Sequence, residues 1–194
     1  MQLPLFPLKT VLLPGNQLPL RIFEPRYSDM IADCMRRNSE FGVVLIFQGE
    51  EVNSDIEIFT FGTTAAVIDW QQLSDGLLGI TVEGRRRFEV QSTRILHDGL
   101  LMADVELLDE QPPQPIPEQF DYMLELLKHV ARQHQEIPDD PDFAQMVFQL
   151  VYLLPLENTL KQQLLEVPDN YERAMVLHAE LIRLGVIQYV KPGR

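Results

Sequence analysis

Three side chains capable of acid–base or metal chemistry recur at four-residue spacing near the middle of the chain: Asp121, Glu125 and His129. On a helix this spacing places them on one face, where they could bind a metal ion or relay a proton. A solvated helix face with ordinary i,i+4 pairs has the same spacing and is the simpler account. His134 lies five residues after His129, roughly 140° around a helix, and does not complete a site. His178 falls on the Met175–Leu181–Ile182 side of a later segment and reads as a packed or boundary histidine. His97 opens a turn, His-Asp-Gly, with no partner in sight.

Cys34, the single cysteine, has the chemistry of a nucleophile but occupies the apolar stripe of its segment, and buried thiols are inert. The run GRRRFEV is the only basic cluster. As a strand it sends Arg86, Phe88 and Val90 to one face and Arg85, Arg87 and Glu89 to the other, so its charge is divided and ion-paired or solvated. No Gly-Lys pair occurs, which excludes a P-loop, and Gly-x-Ser-x-Gly, His-Glu-x-x-His and Gly-x-Gly-x-x-Gly are absent too. The residues therefore point to no catalytic group, no cofactor and no metal.

The 194 residues are 45% hydrophobic, enough for a substantial core. With 29 acidic and 16 basic residues the net charge is −13, and both halves, divided after Glu110, are acidic. Nucleic acid is a disfavoured partner, because its binders need a basic footprint. One cysteine allows no disulfide framework and points to a reducing compartment. No apolar run approaches the ~18 residues that span a bilayer, so a cytoplasmic protein is expected.

These side chains must be carried by two kinds of structure. Residues 111–117, QPPQPIP, have the composition of a short stiff connector. Before it, FGVVLIF (41–47), IEIFTFGTTAAVI (56–68), LLGITVEG (77–84), RRFEVQSTRI (86–95) and LMADVELL (101–108) read as strands in series, predicting a barrel or sandwich. After it the period becomes helical. Helices are predicted over 118–135, over 141–154 with Asp140 as N-cap and Pro141 in the first turn, over 156–166, and over 169–184. The last opens with Asp169 and Glu172 at capping-box spacing and stops at Gly185.

The opening LPLFPLKTVLLPGNQLPLRIFEPRY threads prolines through the positions 4, 7, 14, 19 and 25. It has no basic n-region and no small-residue cleavage site, and it reads as mature structure. Prolines exclude a continuous helix and leave short strands, bulges and turns. The last of them, Pro25, starts an amphipathic helix on which Tyr27, Met30, Ile31, Cys34 and Met35 share a face.

That opening, with its LFPL, LLPG and LPLRIFEPRY pieces, resembles the N-terminal, substrate-binding domain of Lon proteases. FGTTAAVIDWQQLSDGLLGITVEGRRRFEV and LLPLENTLKQQLLEVPDNYERAMVLHAELI resemble later parts of the same family, so the resemblance covers nearly the whole chain. It implies an α+β fold: a PUA-like β pseudo-barrel with one inserted helix (1–110), the connector (111–117) and a helical bundle (118–194). It also implies a stand-alone member without the family's ATPase module or Ser–Lys protease domain.

The function implied is a non-catalytic module for unfolded or degron-bearing polypeptides, or an adaptor, with a complete Lon protease as a further partner. Such a module needs exposed apolar anchors. The candidates are Leu18, Pro19, Leu20, Ile22, Phe23 and Tyr27, with Trp70 and Phe88, although for each residue taken singly core packing is the favoured account. Arg21, Glu24 and Arg26 fit structural ion pairs before the helix or the lining of a polar groove. Two rivals are an RNA-associated role, since PUA-like barrels bind RNA, and a small-molecule or enzymatic role in a cleft between barrel and bundle. The purified chain is expected to show no ATPase or peptidase turnover; activity that disappears on mutating one of its own residues would overturn that expectation.

Overall fold

The computed structural model describes residues 1–48, 56–131 and 140–187, so His134 lies outside the described residues. In chain order come β1 (Gln2–Leu8), β2 (Gln17–Ile22), α1 (Pro25–Arg37), β3 (Phe41–Gln48), β4 (Glu57–Gln72), β5 (Leu78–Ile95) and β6 (Leu101–Leu107). A 3-10 turn (Glu118–Phe120) then leads into α2 (Asp121–Ala131), α3 (Phe143–Leu153), α4 (Asn158–Glu166) and α5 (Asn170–Arg183).

The strands form one six-stranded mixed sheet in the order β2-β5-β4-β3-β1-β6, with additional pairing between β5 and β6. This corrects the expected PUA-like pseudo-barrel. Two long-range features separate the sheet from a series of short hairpin strands. The segments 77–84 and 86–95 are one continuous strand of 18 residues, because Gly84 is held in the ladder: its N–H donates to the Asn16 carbonyl and its carbonyl accepts from the Gly15 N–H. Gly15, at φ 75°, supplies the left-handed residue of that bulge. Secondly, β1 and β3 pair in parallel, Leu5 opposite Gly42 through Leu8 opposite Leu45, with α1 in the connection between them.

Pro4 and Pro7 both lie within β1. Residues 2–5 pair with β6 and residues 5–8 with β3, so each proline has an unpaired side towards which its missing donor can face. Pro25 opens α1 as its first helical residue. The cap of α3 is Asp142, in place of the expected Asp140: its carboxylate accepts from the Gln145 N–H at 2.9 Å, and the Gln145 side chain accepts from the Asp142 N–H at 3.0 Å. That reciprocal pair fixes the start one turn edge later. Asp169 caps α5 as expected, accepting from the Glu172 N–H at 2.9 Å.

Inside the sheet, the fully buried Phe88 ring fills the space beside two glycines. A Cβ at Gly42 would lie 2.7 Å from its Cζ and 2.6 Å from Leu5, and one at Gly62 would lie 2.6 Å from the same Cζ. On the other side of β5, the helices cover the sheet. Arg87, 1% exposed, reaches across with its guanidinium: Nη1 donates to the Leu165 and Val167 carbonyls at 2.8 Å each, while Nε and Nη2 grip the Glu110 carboxylate at 2.9 Å. Arg173, fully buried, donates to the Leu164 and Val167 carbonyls and to Asn170. Two guanidiniums thus satisfy the open C-terminal carbonyls of α4. Burial, followed by repulsion from Arg87, pushes the Arg173 pKa down to about 10, so it remains charged at neutral pH.

The helical core also takes in Val11, Leu13 and Leu45 from the sheet half. Asn158 donates to the Lys9 carbonyl at 2.6 Å and Gln162 to that of Phe61 at 3.0 Å. Arg87→Ala should destabilise the chain by about 3–5 kcal/mol in urea unfolding, since it empties the site of a fully buried side chain and leaves the Leu165 carbonyl without its donor. Asp169→Ala should cost about 0.5–2 kcal/mol at pH 7. The Asp169 pKa is held low by the Glu172 N–H and the Gln111 side chain, so its contribution is complete above the unfolded value of ~4 and declines as pH falls through the folded value. The gap between wild type and Asp169→Ala should therefore be constant from about pH 7 to 5 and narrow below about pH 4.

Candidate polypeptide-recognition site

The side chains with chemical potential are drawn into the structure rather than into a reaction centre. Cys34 is buried on α1, and burial raises its thiol pKa. Glu125 pairs with Lys128 at 2.8 Å, and among the described residues no group of three or more His, Cys, Asp or Glu could hold a metal ion. His178 shares a 2.6 Å hydrogen bond with the Tyr122 hydroxyl, whose pKa burial pushes up to about 12. His97 stays in its turn, closed by the Gly99 N–H donating to Leu96. In the basic cluster, Arg85 pairs with Glu83 at 2.8 Å, Arg86 donates to the Leu108 carbonyl at 3.3 Å, and Arg87 is buried. The alternation of the strand holds there, but both faces are covered, so Arg87 and Phe88 are buried back to back.

The exposed apolar candidates converge instead on β2, the terminal strand of the sheet. A groove of about 310 Å³ runs along it, walled by Phe6, Leu8, Lys9 and Thr10 on one side and by Leu18 to Phe23 on the other, with Glu24 and Tyr27 at one end. A second hollow of about 240 Å³ beside the same strand is bounded by Pro19, Leu20, Arg21, Trp70, Leu73 and Ile80. Leu18 and Leu20 are half-buried, while Phe23 is 57% and Trp70 60% exposed. The register explains the grouping: Leu20 lies opposite Ile80 and Ile80 opposite Trp70, so the three share a face.

Three candidates are structural. Ile22, Tyr27 and Phe88 are buried: Ile22 ends β2 inside the α1 core, Tyr27 stacks on Phe6 with centroids 4.0 Å apart, and Phe88 fills the glycine-lined space. The polar candidates form ion pairs. Arg21 pairs with Asp75 across the hairpin tip. Glu24 pairs with Arg26 at 2.7 Å, and Arg26 also donates to the Gly99 carbonyl at 2.7 Å and lies over the Tyr27 ring. They fix the entry to α1 and rim the groove. Phe6, Leu8, Lys9 and Thr10 were not singled out from the sequence, where LFPL reads only as buried strand.

The family model described as "ATP-dependent protease La (LON) substrate-binding domain" matches residues 2–183. This chain belongs to the Lon substrate-binding domain family. A Lon N-terminal domain protein from Xanthomonas campestris is 32% identical, with a TM-score of 0.80 over 92% of this chain and 98% of that one. The N-terminal domain of a Mycobacterium avium complex Lon protease, 18% identical, shares the fold at a TM-score of 0.69. Among curated proteins, Xenopus tropicalis cereblon is 31% identical over 57% of this chain and 24% of its own length, and the Cytophaga hutchinsonii Lon protease 27% identical over 89% and 23%. The chain thus spans about a quarter of such relatives. The match is confined to the non-catalytic recognition domain of Lon.

Exposure separates the anchors from the core energetically. Phe23→Ala and Trp70→Ala should each change stability by under about 1 kcal/mol in urea unfolding. Phe88→Ala should cost about 3–5 kcal/mol in the same measurement.

Proposed function

We propose that this Lon-family domain holds unfolded or degron-bearing polypeptide segments in the groove beside β2, presenting them as an adaptor or to a complete Lon protease. The observation that carries this is the clustering of Leu18, Leu20, Phe23 and Trp70 around one edge strand that lines two open hollows. A shallow apolar trough with an ion-paired rim suits side chains presented by a flexible chain better than one rigid small ligand. The net charge of −13 disfavours RNA. Among the described residues no helix is long and apolar enough to cross a membrane, and the single cysteine supports a reducing, cytoplasmic setting.

Fluorescence anisotropy with a carboxymethylated, permanently unfolded protein tests the proposal against its native form. The unfolded form should bind and the native form should not. The double variant Phe23→Ala/Trp70→Ala should weaken binding at least about tenfold while unfolding in urea like wild type. Undiminished binding by that folded variant would remove the groove from the function.

A further inference from the structure

Strand β2 pairs with β5 alone, so one of its edges faces away from the sheet. The orientation of its backbone follows from one bond. The Gly84 N–H donates to the Asn16 carbonyl at 2.9 Å, and the β2–β5 register, Gln17 opposite Glu83, sets those two residues against each other. Hydrogen-bonded pairs alternate along an antiparallel ladder. Asn16, Leu18, Leu20 and Ile22 therefore turn their backbone polar groups towards β5, and Gln17, Pro19 and Arg21 turn theirs outward. Pro19 agrees with this phase, since proline is tolerated where the N–H would have faced away from the sheet. The outward set is the N–H of Gln17 and Arg21 and the carbonyls of Gln17, Pro19 and Arg21. The described hydrogen bonds leave these groups without a protein partner.

We propose that the segment bound in the groove is an extended polypeptide that adds to the sheet as a further strand along the free edge of β2. This rests on the function proposed above and specifies its mode. A row of donors and acceptors repeating every two residues is matched by another extended backbone and by no helix, whose backbone groups are already paired. The groove suits the alternation of such a strand, whose side chains on one face share it with Phe6, Leu8, Leu18 and Leu20. Pro19 removes one donor, so the edge offers two N–H groups and three carbonyls, which limits how many main-chain bonds a client can form and suits a recognition site that must release. The chain's net charge of −13 favours clients with basic flanks.

The probe is a fluorescein-labelled nine-residue peptide of alternating valine and threonine with lysine at both ends, together with two versions N-methylated at alternate amides in the two possible phases. The unmodified peptide should bind wild type. One methylated phase should lose at least about tenfold and the other far less, because only one phase turns its N–H groups to β2. Arg21→Pro and Arg21→Ala both lose the side chain, but only Arg21→Pro also loses the outward N–H, so Arg21→Pro should bind about fivefold more weakly than Arg21→Ala. Amide exchange at Gln17 and Arg21 should slow when the peptide is present. If both methylated peptides bind like the unmodified one while Phe23→Ala/Trp70→Ala abolishes binding, strand addition is overturned and recognition by the groove stands. If neither the peptide nor the unfolded protein binds wild type, both proposals fall. Should Arg21→Pro not fold, the two methylated peptides decide the question on wild type alone.

Discussion

The packing of sheet against helices depends on one buried guanidinium. Arg87 leaves β5 beside a ring that fills the sheet interior and ends on the last carbonyls of α4, with Glu110 supplying the counter-charge. An arginine so placed requires every one of its donors to be matched, because an unmatched charge in that setting would be severely destabilising. The geometry of α4 relative to the sheet is thereby fixed to within hydrogen-bond tolerance. Arg173, stacked over Phe148 at 4.3 Å, takes the remaining carbonyls and carries the same constraint into α5. Next to Glu110, Gln111 is tied to the cap of α5 by bonds to Asp169 and Asn170.

With the sheet held from one side, β2 is left as its least supported strand. It is short, it carries a proline, and one of its neighbours is solvent. Bare edges of this kind are hazards that proteins blunt with prolines and charges. Pro19 and the ion-paired Arg21 do both here, so the surface offered to a client is the same one that must be kept from pairing indiscriminately.

Signals confined to a few residues were legible in the sequence. Pro25 marks the start of α1, Asp169 the start of α5, and Gly185 its end, because caps and helix starts depend on neighbours within four positions. The cap at Asp142 was legible in principle, since Gln145 stands three residues after it while Phe143 stands three after Asp140, but Pro141 as a helix-start signal points to the earlier aspartate. The continuous β5 was missed because glycine followed by arginines looks like a turn, while the partner that keeps Gly84 in the ladder lies some seventy positions earlier in the chain. The parallel β1–β3 pair has no local signature. Of the proposed anchors, Leu18, Leu20 and Phe23 lie open at the groove and Trp70 at the second hollow, whereas Ile22 and Tyr27, though they border the groove, and Phe88 are buried by layers whose placement is set elsewhere. The basic cluster was expected to be solvated or ion-paired, and Arg87 is ion-paired to Glu110, but nothing in Arg-Arg-Arg says which of the three is buried.

The ring of Phe88 between Gly42 and Gly62 has a consequence for how this sheet can vary. A methyl group at Gly42 would press on the Phe88 ring and on Leu5, both side chains that a smaller residue can replace, whereas one at Gly62 would also lie 2.5 Å from the Val43 carbonyl oxygen, which no smaller ring moves away. Substitution at any of these positions alone either overfills the space or empties it. Among relatives, bulk at 42 should therefore be balanced by less at 5 and 88, while 62 stays glycine whatever stands opposite it.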